Sequence, residues 1–242
     1  MIYEIADLRV QIENRYEYTT KFCREYLSAD QDSPVYIVAK VTQAEFDAEK
    51  VQSVGFSDGY IENICLYRSI CLQLPRFGRM LLHASVLQFD GDGYAFLGRS
   101  GAGKSTHTRL WMHHLKNCHI VNGDKPILRE TERGFVAYGT PWRGKECWGE
   151  KRTALLKGFC FIEQAKENAI RVLTSSEVSL RLFQQVLMPT VAQDAVLALD
   201  LIDSLIKKTP SYLLQCDISE RAVQTSFAAL TGREYSQYKK DE

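Results

Sequence analysis

The sequence predicts an α/β (α+β) fold: a mixed, largely antiparallel sheet carrying a phosphate-binding loop, preceded by a small N-terminal α/β portion. Three observations predict it. Gly98-Arg99-Ser100-Gly101-Ala102-Gly103-Lys104-Ser105 satisfies the pattern G-x-x-x-x-G-K-[ST] at every constrained position. The apolar run Tyr94 to Leu97 precedes it and a helical pattern from Thr106 to Leu115 follows, which is the strand, loop, helix order the pattern requires. Finally, Asp90-Gly91-Asp92-Gly93 joins the strand Leu81 to Phe89 to the loop strand. Four turn residues make a hairpin and leave no room for a helical crossover, so a purely parallel, doubly wound sheet is excluded.

The other elements follow in chain order. Met1 to Glu13 alternates as a strand, Tyr16 to Leu27 has helical spacing, and Val35 to Val41 is a strand bounded by Pro34. Thr42 and Glu45 form a capping box for a helix to about Val51. Asp58 to Leu74 is a longer helix with Ile61, Cys65, Ile70 and Leu74 on one side, ended by Pro75. Beyond the loop helix come strands at His119 to Asn122, Lys125 to Glu130, Phe135 to Gly139, Ala154 to Ile162 and Ala169 to Leu173. Thr174 with Glu177 caps a helix through Leu187, Pro189 breaks it, and helices at Val191 to Lys207 and Ser219 to Leu230 complete the chain. The expected organisation is an N-terminal portion over 1–78, a core over 79–232, and a polar, loose tail over 233–242.

Composition narrows the function classes. The 242 residues are 45% hydrophobic and 25% charged, an ordinary globular mixture. Thirty basic and thirty acidic residues cancel, which removes the usual electrostatic case for a nucleic-acid or anionic-membrane partner. The seven cysteines include no C-x-x-C pair, which argues against a disulfide framework or a zinc ribbon. With no apolar stretch of membrane-spanning length and no secretory pattern at the start, a cytoplasmic protein is expected. His107, His113, His114 and His119 crowd near the loop helix without a carboxylate or cysteine at ligand spacing, and read as a partly exposed helix flank.

The loop carries the chemistry. Gly98, Gly101 and Gly103 free the backbone so that successive amides turn toward phosphate oxygens, with Arg99, Ser100 and Ala102 between them and Thr106 continuing the contact at the helix start. Lys104 adds a charge-assisted contact to the outer phosphates, and the Ser105 hydroxyl is placed for a magnesium ion. The expected ligands are therefore a nucleoside triphosphate, taken as ATP, with Mg²⁺; the residues do not separate ATP from GTP or ADP as the donor. Phosphoryl transfer also needs a carboxylate near the metal and the acceptor hydroxyl. Asp124 is the candidate, on a short strand expected to lie beside the loop strand; Asn122-Gly123-Asp124 is also readable as a plain surface turn. The segment Thr140 to Lys145 offers Arg143 and Lys145 to neutralise charge on a moving phosphoryl group, or is simply solvated.

Taken together, Leu82-His83-Ala84-Ser85-Val86, the loop Gly98 to Ser105 with Thr106, and Val121-Asn122-Gly123-Asp124 resemble the nucleotide core of the HPr kinase/phosphorylase family, and more distantly ATP-dependent phosphoenolpyruvate carboxykinase. The resemblance is strongest to short bacterial HPr-kinase-like proteins and covers roughly Leu81 to Gln164. It implies that His83 is an active-site histidine near the transferred phosphate, that Asp124 is the general base toward a serine-type hydroxyl of a small molecule or peptide, and that the protein forms a homo-oligomer. Two departures stand out. The family's paired aspartates are Asp124-Lys125 here, and its Glu-x-Arg-Gly metal-binding motif is replaced by Tyr138-Gly139-Thr140-Pro141-Trp142-Arg143-Gly144-Lys145. Phosphoenolpyruvate carboxykinase activity and a non-catalytic ATP-binding regulatory module are the alternatives to a kinase.

Overall fold

The computed structural model describes residues 1–240. The N-terminal residues form not one strand but a hairpin, β1 (Ile2–Ile5) and β2 (Leu8–Ile12), because Ala6 and Asp7 both adopt left-handed backbone angles and reverse the chain in two residues. Asp7 is a residue type that tolerates this conformation, but Ala6 gives no sign of it. β3 (Ile37–Ala39) pairs in parallel with β2 to give a three-stranded sheet. The helical segment that follows β2 is short, α1 (Glu17–Phe22) plus a 3₁₀ turn at Arg24–Tyr26. The Thr42–Glu45 capping box forms as expected at the start of α2 (Gln43–Gln52), and Ser57 caps α3 (Asp58–Gln73).

The expected strand Leu81 to Phe89 is divided. β4 (Arg79–Leu81) and β5 (Ala84–Phe89) lie in different parts of the larger sheet, and Leu82 and His83 turn between them. The backbone amides there are taken by Pro126 O (from Leu82, 3.1 Å), Gln185 O (from His83, 2.8 Å) and Asp124 O (from Ala84, 3.1 Å). β5 and β6 (Asp92–Leu97) form the expected hairpin through Asp90 and Gly91.

The remaining strands are β7 (Cys118–Asn122), β8 (Ile127–Thr131), β9 (Gly134–Tyr138), β10 (Thr153–Gln164), β11 (Ala169–Val172) and β12 (Ser211–Cys216). The sheet runs β4-β8-β9-β10-β6-β5-β7, with β12 and then β11 attached along the C-terminal half of β10. Among the described residues its pairings are antiparallel except β10 with β6 and β10 with β12. Two sequence expectations change here. β7 pairs with β5 rather than lying beside the loop strand, and β12 went unread because six residues with one apolar pair, Leu213-Leu214, give little periodicity.

Helices cover both faces, which is why the loop strand reads as an unbroken apolar run. Ala95 and Leu97 face the layer of α5 (Ser175–Leu182) and α6 (Ala192–Lys208), where Val178, Leu182, Leu201 and Leu205 are buried. Tyr94 and Phe96 face α4 (Lys104–His114) and α7 (Glu220–Thr231) through Trp111, Val223 and Phe227. α5 ends at Leu182, five residues earlier than expected, because the following backbone is recruited by His83 and by a Leu82–Val186 bridge. The N-terminal sheet and α3 share a third core with Leu81, Ile127, Tyr138 and Trp142 of the larger sheet.

The tail is docked, not loose. Tyr238 packs edge-on against Phe89 at 5.1 Å, Lys116 N donates to Tyr238 O at 2.9 Å, and Arg233 pairs with Asp90 at 2.5 Å. The expectation for residues 241 and 242 lies outside the described residues. Among the described residues no helix is long and apolar enough to cross a membrane.

Candidate active site

β6 ends at Leu97, and the chain then wraps through Gly98–Gly103 into the N-terminus of α4. Gly98 is required there: its φ is +148°, and a Cβ on it would stand 2.9 Å from Ala102 Cβ and 3.2 Å from Ile162 O. No side chain caps α4, so the leading amides of the helix carry none of the usual side-chain satisfaction.

Lys104 is 8% exposed, and its Nζ donates to Gly98 O at 2.9 Å and Arg99 O at 3.4 Å. Among the described residues no carboxylate lies within ion-pairing distance of it. Burial lowers its pKa, the attraction of Asp124 offsets part of that, and the Lys125 charge acts in the same direction as burial. A desolvated ammonium held only by carbonyl oxygens is an incomplete arrangement that an anion would complete.

Across a cavity of about 450 Å³ from Lys104 and Ser105 lie His83, Asp124, Lys125, Gly144 and Lys145. β7 brings Asp124 there although it does not adjoin β6, because Asp124 follows the strand end and its carbonyl accepts from Ala84, next to His83. His83 Nε2 stands 3.2 Å from Asp124 Oδ1, and Lys125 Nζ stands 2.5 Å from Oδ2. Burial would raise the Asp124 pKa, but the hydrogen bonds from His83 and Lys125 and the Lys125 charge outweigh it and hold the carboxyl well below its ordinary value.

Asn122 builds this turn. Its Oδ1 accepts from Asp124 N (2.9 Å) and Lys125 N (2.7 Å), while Nδ2 donates to Thr140 Oγ1 (3.0 Å) and Thr140 Oγ1 donates to Lys125 O (2.8 Å). The Asn-Gly-Asp sequence is a turn whose Asn side chain holds the backbone of Asp124. Lys125 and Gly144 border the same cavity, and the sequence reading gave neither a role there.

None of the protein-family models matches the chain, and no curated protein matches it. Among solved structures, the Hpr(Ser) kinase/phosphatase from Coxiella burnetii is similar to 63% of this chain and 93% of its own length, at a TM-score of 0.36 and 11% identity. That is a distant structural likeness, and no residue correspondence is drawn from it.

Of the expected site residues, His83, Lys104, Ser105, Thr106, Asp124 and Lys145 line the one cavity together with Ser100, Gly101, Ala102 and Gly103. Gly98 forms the base of the loop, and exposed Arg99 faces a separate cleft of about 730 Å³ beside β10 and α5. Arg143 also borders the cavity, but its guanidinium pairs with Glu25 of the N-terminal portion. Trp142 is buried against Tyr67, with ring centroids 5.0 Å apart. The segment therefore grips the N-terminal portion with Trp142 and Arg143 and presents Gly144 and Lys145 to the cavity. The histidines divide too: His107, expected on an exposed flank, is 2% exposed, and burial pushes its pKa down to about 3.

Proposed function

We propose that this protein is an ATP-dependent phosphotransferase that moves the γ-phosphate to a hydroxyl, of the serine type, in a small molecule or peptide. The observation that carries the reading is the meeting of the Gly98–Ser105 loop and the His83–Asp124 pair across one cavity. The loop amides and Lys104 bind the phosphates, with Lys104 exchanging its carbonyl contacts for phosphate oxygens. Ser105 Oγ and an Asp124 oxygen are hard oxygen donors in the same cavity and suit Mg²⁺, which when bound neutralises phosphate charge.

Asp124 takes the proton of the acceptor hydroxyl as its oxygen forms the new bond to the γ-phosphorus and the bond to the β-phosphate oxygen breaks, leaving ADP. A carboxylate held as acidic as Asp124 is a weak base. Lys125 is the group that resolves this: an ammonium drawn from Asp124 Oδ2 toward incoming phosphate oxygens frees one carboxylate oxygen and raises its proton affinity. His83 holds the other oxygen and fixes the carboxylate plane. Lys145, on the exposed part of its loop, supplies positive charge at the mouth of the cavity.

Calorimetric titration with ATP and Mg²⁺ tests the reading at its base. Wild-type protein binds, and Lys104→Ala loses about 1.5 to 3 kcal/mol, the worth of a hydrogen bond to a charged group. Equal affinity of the two proteins, or no binding by either, contradicts it.

A further inference from the structure

Lys104 has to give up its carbonyl contacts to reach a phosphate, and each of those carbonyls has a second donor. Arg99 O, 3.4 Å from the ammonium, also accepts from Ala102 N at 3.0 Å within the loop. Gly98 O, the nearer contact at 2.9 Å, belongs to a buried residue at the base of the loop, and its second donor comes from elsewhere in the fold. That donor is Gln185, just beyond the end of α5. Gly98 O and His83 O require the nitrogen of its amide rather than the oxygen to face them, and so placed it donates to each at 3.2 Å.

Gln185 grips the other half of the site with its backbone as well. Its carbonyl accepts from His83 N at 2.8 Å while its amide nitrogen donates to His83 O, so the main chain of His83 is held at both polar groups. The His83 ring in turn stands 3.2 Å from Asp124 Oδ1. Gln185 is itself fixed: it is 5% exposed, its N–H donates to Leu182 O at 2.8 Å, and the adjacent Val186 bridges to Leu82. We propose that Gln185 is a positioning residue for phosphate binding, whose amide keeps Gly98 O satisfied and His83 in place when Lys104 swings to the triphosphate, a proposal that rests on the phosphotransferase reading.

The physical argument is one of hydrogen-bond satisfaction. A carbonyl oxygen can accept from two donors at once, so Gly98 O holds Lys104 and Gln185 together. Without Gln185, moving Lys104 to a phosphate strands a buried acceptor, and that penalty appears wholly as lost ATP affinity. A neutral amide is the donor that suits this place. A second cation there would repel the Lys104 ammonium, and a carboxylate would pair with it and keep it from the phosphates.

Gln185→Met keeps the length of the side chain and removes its donors. MgATP is titrated calorimetrically into wild type, Gln185→Met, Lys104→Ala and the double variant. The expected result is that Gln185→Met loses about tenfold in ATP affinity when Lys104 is present and changes by less than about twofold in the Lys104→Ala background, where Gly98 O has the same partners with and without ATP. Gln185→Asn, whose amide stops one methylene short of Gly98 O, is expected to follow the same pattern and takes the place of Gln185→Met if that protein does not fold. Equal losses in the two backgrounds, as a merely structural residue gives, or no loss in either, overturn the role of Gln185 and leave the phosphate site standing. A wild type that does not bind MgATP, or Lys104→Ala binding as tightly as wild type, overturns the phosphotransferase reading beneath it.

Discussion

Gly144 is the position where a single methyl group most directly perturbs the proposed base. Its φ is +75°, and a Cβ built on it stands 2.8 Å from Asp124 Cβ and 3.2 Å from Cγ. Ordinary carbon contacts lie near 3.5 to 4.0 Å, so in Gly144→Ala the loop or the carboxylate must retreat by about 1 Å. The left-handed backbone adds about 1 to 2 kcal/mol of strain in a residue that carries a side chain. Because Gly144 is exposed, the stability loss stays near that strain, whereas a displacement of about 1 Å at a reacting group costs about 100-fold in rate. Gly55→Ala is the matched control: its φ is +88° and nothing lies within 4 Å of the added methyl. Steady-state ADP formation with serine-containing acceptors, ATP affinity by calorimetry and urea unfolding should be read on all three proteins. Gly144→Ala is expected to lose about 100-fold in kcat with ATP affinity within about twofold, and Gly55→Ala to share only the stability loss. Full kcat in Gly144→Ala, or equal kcat losses in both variants, refutes the argument that close contact with Gly144 sets the position of Asp124.

Two further predictions concern protons. His107 stays neutral in the fold because burial pushes its pKa down to about 3, while the unfolded chain protonates it near its ordinary value of about 6.5. Its contribution to stability is therefore complete above about pH 6.5 and falls by about 1.4 kcal/mol per pH unit below it, or about 2 kcal/mol between pH 7 and pH 5; urea unfolding of His107→Gln should lack this slope, and parallel pH profiles for the two proteins refute it. Lys104 has its pKa lowered chiefly by burial, and a bound triphosphate raises it again, so as pH rises through the lowered pKa ATP binding takes up a proton and weakens. Calorimetry in buffers of different ionisation enthalpy measures that uptake, which Lys104→Met should abolish; uptake persisting in the variant assigns the proton elsewhere.

Much of the fold was legible because its signals are local. The two Thr-x-x-Glu capping boxes, the Asp90–Gly91 hairpin and the long pattern of α3 are written in adjacent residues, and each forms where it was read. What escaped depends on distant partners. Leu82 and His83 leave the strand with their amides donating to Pro126 O and Gln185 O, an arrangement that no periodicity in 81–89 reveals. The pairing of β7 with β5 likewise follows from tertiary competition between edges, and the docked tail from three aromatic neighbours brought together by folding. At the site, the residue types at 83, 98–106 and 124 were readable, but the grip of Lys125 on Asp124 was not, since a Lys beside an Asp in sequence rarely faces it. Arg143 shows the reverse case: its charge drew attention, while its partner Glu25 lies 118 residues away along the chain.

The central claim, that a loop-bound triphosphate is attacked by a hydroxyl whose proton passes to Asp124, is tested most directly by Asp124→Asn measured for binding and turnover together. The account predicts ATP affinity within about threefold of wild type and a fall in kcat of about 100-fold or more with a serine-type acceptor. Turnover retained in Asp124→Asn, or a wild-type protein that binds ATP and phosphorylates no such acceptor, contradicts it.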